Sequence, residues 1–209
     1  MVPHNAEANT AGQQPARTGR LVVLSGPAGV GKTTVAERLC RETGIRRSVS
    51  ATTRPPRPGE VDGRDYLFLT EEEFQRRIAA GGFLEHARVH EARYGTPRAP
   101  IEEALRAGES RLLVIDVQGA MQVKRHWPEA LLIFLDAPDA VLSQRLTGRG
   151  TEAEEHRQKR LAVVAVERQY KEQYDHCVVN DGLDQAVAEL RGILSHGPEP
   201  GDRRHTLDG

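Results

Sequence analysis

The sequence predicts an α/β domain with a central, mainly parallel sheet covered by helices on both faces. Three observations lead there. The runs "RLVVLS", "RLLVIDVQG" and "ALLIFLDAP" are continuously apolar rather than alternating, as in strands buried on both sides. Segments with helical periodicity follow these runs in turn, which is the order of a parallel sheet with crossover helices. A glycine-rich stretch joins the first apolar run directly to the first helical segment.

Taken in order, "RLVVLS" is a short strand ending at Gly26. "KTTVAERLCRET" places Val35, Ala36, Leu39 and Cys40 on one helical face, and Gly44 ends that helix. "RRSVSATTR" reads as strand until "PPRPG", where the prolines stop it. "DYLFLT" reads as another strand, and Thr70 with Glu73 forms a capping box for a helix carrying Phe74 and Ile78. "GGFLEHARVHEARYGT" is β-rich, as one strand or a hairpin. Pro100 and Gly108 bracket a helix over "IEEALRA".

"DAVLSQRLTGRG" is helical up to its glycines, and Thr151 with Glu154 makes a second capping box opening the helix that contains "EEHRQKRLAVVAVERQY". "DHCVVND" is a last short strand. "LDQAVAELRGIL" is an amphipathic helix with Leu183, Val187, Leu190 and Leu194 on one stripe.

Composition limits the function classes. The 209 residues suit one domain, folded over roughly 20–195, between polar tails at 1–19 and 196–209 that are expected to be disordered. A formal net charge of -1 gives no bulk basic field for nucleic acid. Cys40 and Cys177 make neither a disulfide framework nor a zinc set. No apolar run has the length of a membrane span, and the N-terminus has no greasy signal region, so the expected setting is cytoplasmic. The sequence leaves open a monomer or a homo-oligomer. His86 and His90 have the H-x-x-x-H spacing, but in a β-like run that spacing does not align side chains for chelation.

The stretch from Gly26 to Thr33, "GPAGVGKT", fits G-x-x-x-x-G-K-[ST] between a strand and a helix. The backbone of Gly26, Pro27, Ala28, Gly29, Val30 and Gly31 is expected to wrap a phosphate chain with inward N–H groups, the helix start adding its dipole. Lys32 reaches the β- and γ-phosphates, Thr33 ligates Mg²⁺, and Thr34 continues the cradle. Asp116, at the end of an apolar run, is placed to help hold Mg²⁺ or its waters. A nucleoside triphosphate, ATP, is the expected co-substrate, in a three-layer P-loop NTPase fold.

The phosphate acceptor is not named by that loop. Arg54, Arg57 and Tyr66, in "SVSATTRPPRPGEVDGRDYLF", are groups suited to clamping a second phosphate. With "FLEHARVHEARYGT", "IDVQGA", "RLTGRGTEAEEHRQKRL" and "VVND", this run resembles guanylate kinase over nearly all of 20–190. The resemblance implies transfer of the γ-phosphate of ATP to GMP or dGMP, with Mg²⁺. It implies a GMP-binding insertion at about 50–100 and a mobile lid at about 140–165.

By the same resemblance, Arg54, Arg57, Tyr66 and Tyr94 look like ligands of the GMP phosphate, and Ser50, Glu85 and Thr96 like readers of guanine. The chemistry agrees: a carboxylate accepts from guanine N1–H and N2–H₂ together, and a hydroxyl donates to O6. Arg145, Arg149 and Arg160 match the lid cations that, with Lys32 and Arg54, would stabilise charge during transfer. Asn180 resembles the segment beside adenine. The sequence departs from the family at Val114, commonly an acid, and at Ala28, often a serine. Two other readings stand beside this one. A ribose bisphosphate kinase of related fold would not need the guanine readers. A non-catalytic interaction module would not need Lys32 and Thr33 intact.

Overall fold

A computed structural model of the chain describes residues 19–89, 91–147 and 162–195, with the backbone alone for 145–147. The expected tails, the second capping box at Thr151 and Glu154, and most of the expected lid lie outside the described residues.

Five strands form the central sheet: β1 (Leu21–Ser25), β2 (Arg46–Arg47), β7 (Arg111–Val114), β8 (Leu131–Asp136) and β9 (His176–Val179). Their order is β2-β7-β1-β8-β9, and every pairing is parallel. Alternate residues of β1 explain why its sequence is apolar throughout. Val22 and Leu24 face one core with Val35, Ala36 and Leu39 of α1 (Lys32–Thr43) and Ala186, Val187 and Leu190 of α7 (Leu183–Ser195). Leu21 and Val23 face the other, with Ile101 and Leu105 of α3 (Arg98–Arg106) and Val117, Ala120 and Val123 of α4 (Val117–His126). Three layers result, as the sequence predicts. α5 (Asp139–Thr147) and α6, described over 162–168, follow β8.

A second sheet lies in the chain between β2 and β7. It contains β3 (Ala51–Thr52), β4 (Leu67–Phe68), β5 (Phe83–Val89) and β6 (Ala92–Pro97) in the order β4-β3-β6-β5. β5 and β6 are an antiparallel hairpin, which resolves the strand-or-hairpin alternative. α2 (Glu71–Ala79) packs Phe74 on Phe83 in a stacked pair, ring centroids 4.5 Å apart, over Ala51.

The single β run expected over "RRSVSATTR" splits into β2 and β3, in different sheets. Ser48 N–H still donates to Leu112 of β7 at 2.9 Å, whereas the Ser50 carbonyl already accepts from Leu67 at 2.9 Å. One β-prone segment thus serves both sheets. The Thr70 capping box is half formed: Glu73 N–H donates to Thr70 Oγ1 at 3.1 Å, while the Glu73 carboxylate turns to Arg76 and Arg77. Asp116 was expected to end a strand. It lies beyond Val114, extended, as the N-cap of α4, because the chain leaves the sheet there to start the helix.

At the end of β1 the chain turns beneath its neighbour. Gly26 has φ +141°, and a Cβ there would lie 2.0 Å from the Leu135 carbonyl oxygen of β8. Only glycine lets the loop leave the sheet so close to that strand. Gly26→Ala is therefore expected to destabilise the fold by about 3 kcal/mol, measured by urea unfolding.

Candidate functional site

β1 lies between β7 and β8, and the carboxyl end of such a central strand is where parallel α/β sheets bind ligands. The loop from Gly26 to Gly31 sits there. Gly29 and Gly31 have φ +81° and +95°, and α1 begins at Lys32. Three contacts fix this loop. Val30 is fully buried, and its carbonyl accepts from Asn180 Nδ2 at 2.8 Å. Val30 N–H donates to the Pro27 carbonyl at 3.3 Å. Below the loop, Tyr174 donates its hydroxyl to Ser25 Oγ at 3.0 Å, its ring edge-on to Phe134.

Lys32 turns its ammonium into the loop, donating to the carbonyls of Gly26 at 2.6 Å and Pro27 at 2.9 Å. Burial pulls its pKa below the ordinary lysine value, opposed by the nearby carboxylates of Glu167 and Asp116. Glu167, on α6, is raised by burial, with one carboxylate oxygen buried and unpartnered. Thr33 and Thr34 are exposed on the first turn of α1. Asn180, expected beside adenine, is buried with its amide on the loop, and its Oδ1 has no partner.

The second cluster lies on the small sheet. Glu85 is 5% exposed, and its Oε1 accepts from the hydroxyl of fully buried Thr96 at 2.7 Å. Burial pushes the Glu85 carboxyl up to about 7; the Thr96 hydrogen bond opposes this and the charge of Asp116 adds to it. Asp116 Oδ1 accepts from Gly119 N–H at 2.8 Å. Asp116 therefore acts electrostatically on both Lys32 and Glu85.

Arg54 is half-buried and already partnered. Its guanidinium donates to both carboxylate oxygens of Glu60, at 2.8 and 2.9 Å, and to the Pro55 carbonyl at 2.7 Å. It lies over Tyr66, 5.6 Å from the ring centroid, and Tyr66 meets Tyr94 edge-on at 6.0 Å. Arg54, Tyr66 and Tyr94 are thus together. Arg57 is exposed on the same loop, joined to Glu60 through its backbone N–H at 2.7 Å. Ser50 is half-buried just before β3.

The lid residues are placed only in part. Arg145 lies in α5 by its backbone, and Arg149 and Arg160 lie outside the described residues. The flanks of that segment are joined: Arg168 of α6 donates to Asp139 at 2.6 Å, to Asp136 at 3.0 Å and to the Ala137 carbonyl at 2.7 Å. His86 is engaged through its main chain, and His90 lies outside the described residues. No group of three or more His, Cys, Asp or Glu side chains suited to a metal ion occurs among the described residues. None of the described helices is long and apolar enough to cross a membrane.

A family model for guanylate kinase matches residues 18–197. The chain belongs to the guanylate kinase family. The Leifsonia xyli guanylate kinase is 52% identical over 188 residues, covering 88% of this chain and 74% of that one. The guanylate kinase of Gloeobacter violaceus is 50% identical over 177 residues, 84% of this chain and 86% of that one. Among solved structures, the guanylate kinase from Anaplasma phagocytophilum superposes with a TM-score of 0.70 at 35% identity, over 86% of each chain.

Sequence reading of this guanylate kinase missed Glu60, Glu167 and Tyr174. Glu60 stands within the "GEVDGRD" motif, six residues after Arg54, close enough in the chain to have been read as its local counter-ion. Glu167 and Tyr174 act through contacts distant in sequence and carry no local signal.

The Glu85 environment sets a pH dependence. Its folded pKa is raised, so between the ordinary carboxylate value and about 7 the native chain holds a proton that the unfolded chain has released. This contribution to stability falls as pH rises through that window and levels off above it. Glu85→Gln should remove the slope, gaining about 3 kcal/mol relative to wild type between pH 4.5 and pH 8, read from urea unfolding at both pH values.

Proposed function

We propose that this guanylate kinase transfers the γ-phosphoryl group of ATP to GMP, and to dGMP, giving ADP and GDP. The observation that carries the reading is the pairing of two groups of opposite character withdrawn from water, a half-buried lysine at the carboxyl end of the central sheet and a buried carboxylate on the small sheet. Lys32 lies in a backbone cradle, and Glu85 lies with Thr96, each under the influence of Asp116. The first suits a phosphate chain and the second a purine that donates from adjacent N–H groups.

The cradle amides and Lys32 hold the β- and γ-phosphates of ATP, phosphate oxygens replacing the Gly26 and Pro27 carbonyls as partners of the ammonium. Arg54, Arg57, Tyr66 and Tyr94 hold the GMP phosphate, which competes with Glu60 for the Arg54 guanidinium. Glu85, held by the Thr96 hydroxyl, accepts from guanine N1–H and N2–H₂; because that hydroxyl proton is already donated to Glu85, Ser50 is the one left to serve the carbonyl edge. Adenine would set a lone pair against Glu85, a mismatch a buried carboxylate tolerates poorly. With the two phosphates in line, the remaining work is to neutralise charge and exclude water, the part given to Arg145, Arg149 and Arg160.

The residues present fit a magnesium ion that arrives with the nucleotide. Thr33 offers an exposed hydroxyl, and Asp116 has one carboxylate oxygen on Gly119, leaving the second for the ion or its waters. Hard oxygen donors with few protein ligands are what Mg²⁺ takes in kinases, and Val114 adds none. Bound there, the ion would neutralise charge between the β- and γ-phosphates.

A nucleotide panel tests the reading. With ATP and magnesium, the chain should phosphorylate GMP and dGMP and leave AMP, CMP and UMP essentially untouched; preference for another monophosphate removes the assignment. Lys32→Ala should lower kcat about 100-fold or more while loosening GMP far less, and near-normal turnover would contradict the cradle role.

A further inference from the structure

We propose that the first two turns of α4 set the position of the purine-reading carboxylate: Gly119 supplies the gap that the Glu85 carboxyl occupies, and Gln122 clamps the strand that carries it. This inference rests on the guanine-reading role given to Glu85 above and adds two positioning residues to it.

Gly119 lies in the first turn of α4, and its backbone has no positive φ. Glycine at a helical position costs up to about 1 kcal/mol against alanine, so conformation does not account for it. Space does. A Cβ at 119 would lie 2.8 Å from Glu85 Oε2 and 3.2 Å from its carboxyl carbon, with Asp116 Oδ1 at 3.4 Å. The atoms in the way are the end of a side chain rather than backbone. A methyl group there is met by moving the carboxyl, not by breaking the helix. The carboxyl has little room to move while Glu85 is buried and its other oxygen stays on Thr96. Displacement therefore reads out as misplacement of the acceptor against the purine.

Gln122 lies near Gly119 on the same helix. Its Oε1 accepts from His86 N–H at 3.2 Å and its Nε2 donates to the His86 carbonyl at 2.9 Å. His86 is the residue after Glu85, and β5 is an edge strand of its sheet. The side-chain amide thus takes the place of a neighbouring strand at that open edge, joining the small sheet to α4 beside the carboxylate. Gly119 sets the depth of the Glu85 carboxyl, and Gln122 sets the seating of its backbone.

The test uses the full chain with Gly119→Ala, Gln122→Met, Glu85→Ala and the double variant Glu85→Ala/Gly119→Ala. Steady-state kinetics are measured with GMP, with IMP, which lacks the 2-amino donor, and with ATP, and melting temperatures are recorded. Gly119→Ala should raise the GMP KM about tenfold and narrow the GMP-over-IMP preference, with the ATP KM within about twofold of wild type. With Glu85 already removed, adding Gly119→Ala should change the GMP KM by less than about twofold, since no carboxyl remains to displace. Gln122→Met should raise the GMP KM about threefold or more and narrow the same preference, which keeps the test decisive if Gly119→Ala does not fold. An unchanged GMP KM and GMP-over-IMP preference in both single variants overturns the inference, as do losses that add in the double variant. Wild-type turnover of GMP alongside those results leaves the proposed function standing; a folded wild type without it removes that function.

Discussion

A half-buried lysine ammonium, turned into the loop beyond β1, is the constraint on which this molecule depends. Lys32 is drawn partly out of water, and the loop's own carbonyls and the carboxylates of Glu167 and Asp116 compensate it in part. Such a group is held in place only by a rigid surround. Gly26 lets the loop leave β1 against Leu135, Asn180 ties Val30 from the far side, and Tyr174 steadies Ser25 beneath. Leu135 belongs to β8, and Tyr174 and Asn180 flank β9, far in sequence from the loop. The cradle is therefore a product of the whole sheet and not of its eight-residue motif alone.

The second half of the site follows the opposite rule. Glu85 is a carboxylate kept from water, its charge disfavoured by burial and by Asp116. A purine with two adjacent donors relieves that cost, and one without them adds to it. Asp116 is the physical link between the halves: it caps α4, supports the Lys32 ammonium and raises the cost of ionising Glu85. The Arg54–Glu60 pair sets a third condition. Its guanidinium is already oriented over Tyr66, so an arriving phosphate meets an ordered donor and displaces a single counter-charge.

Much of this was legible in the sequence, for reasons specific to each element. β1, β8 and α1 announce themselves because strands buried on both faces must be apolar throughout and the phosphate loop needs glycines at fixed places. Arg54 and Tyr66 could be read together within one segment, whereas Tyr94, from a separate segment, joined them only through the resemblance to guanylate kinase. What escaped was long-range. Gln122 meets His86 across 36 residues, and nothing near either position signals it. The split of 46–52 between two sheets was hidden because β propensity does not say which sheet a strand joins. Asp116 looked like a strand end because helix caps and strand-end acids share the same apolar-run-then-aspartate pattern.

Two nucleotides facing each other between the central sheet and the small sheet is the central claim, and calorimetric titration with a dinucleotide in which adenosine and guanosine are joined 5′ to 5′ through five phosphates tests it most directly. One molecule should bind per chain, and saturating ATP or saturating GMP should each weaken it. Displacement by one nucleotide but not the other would contradict the account, because the cradle and the carboxylate pocket would then not face a common phosphate chain.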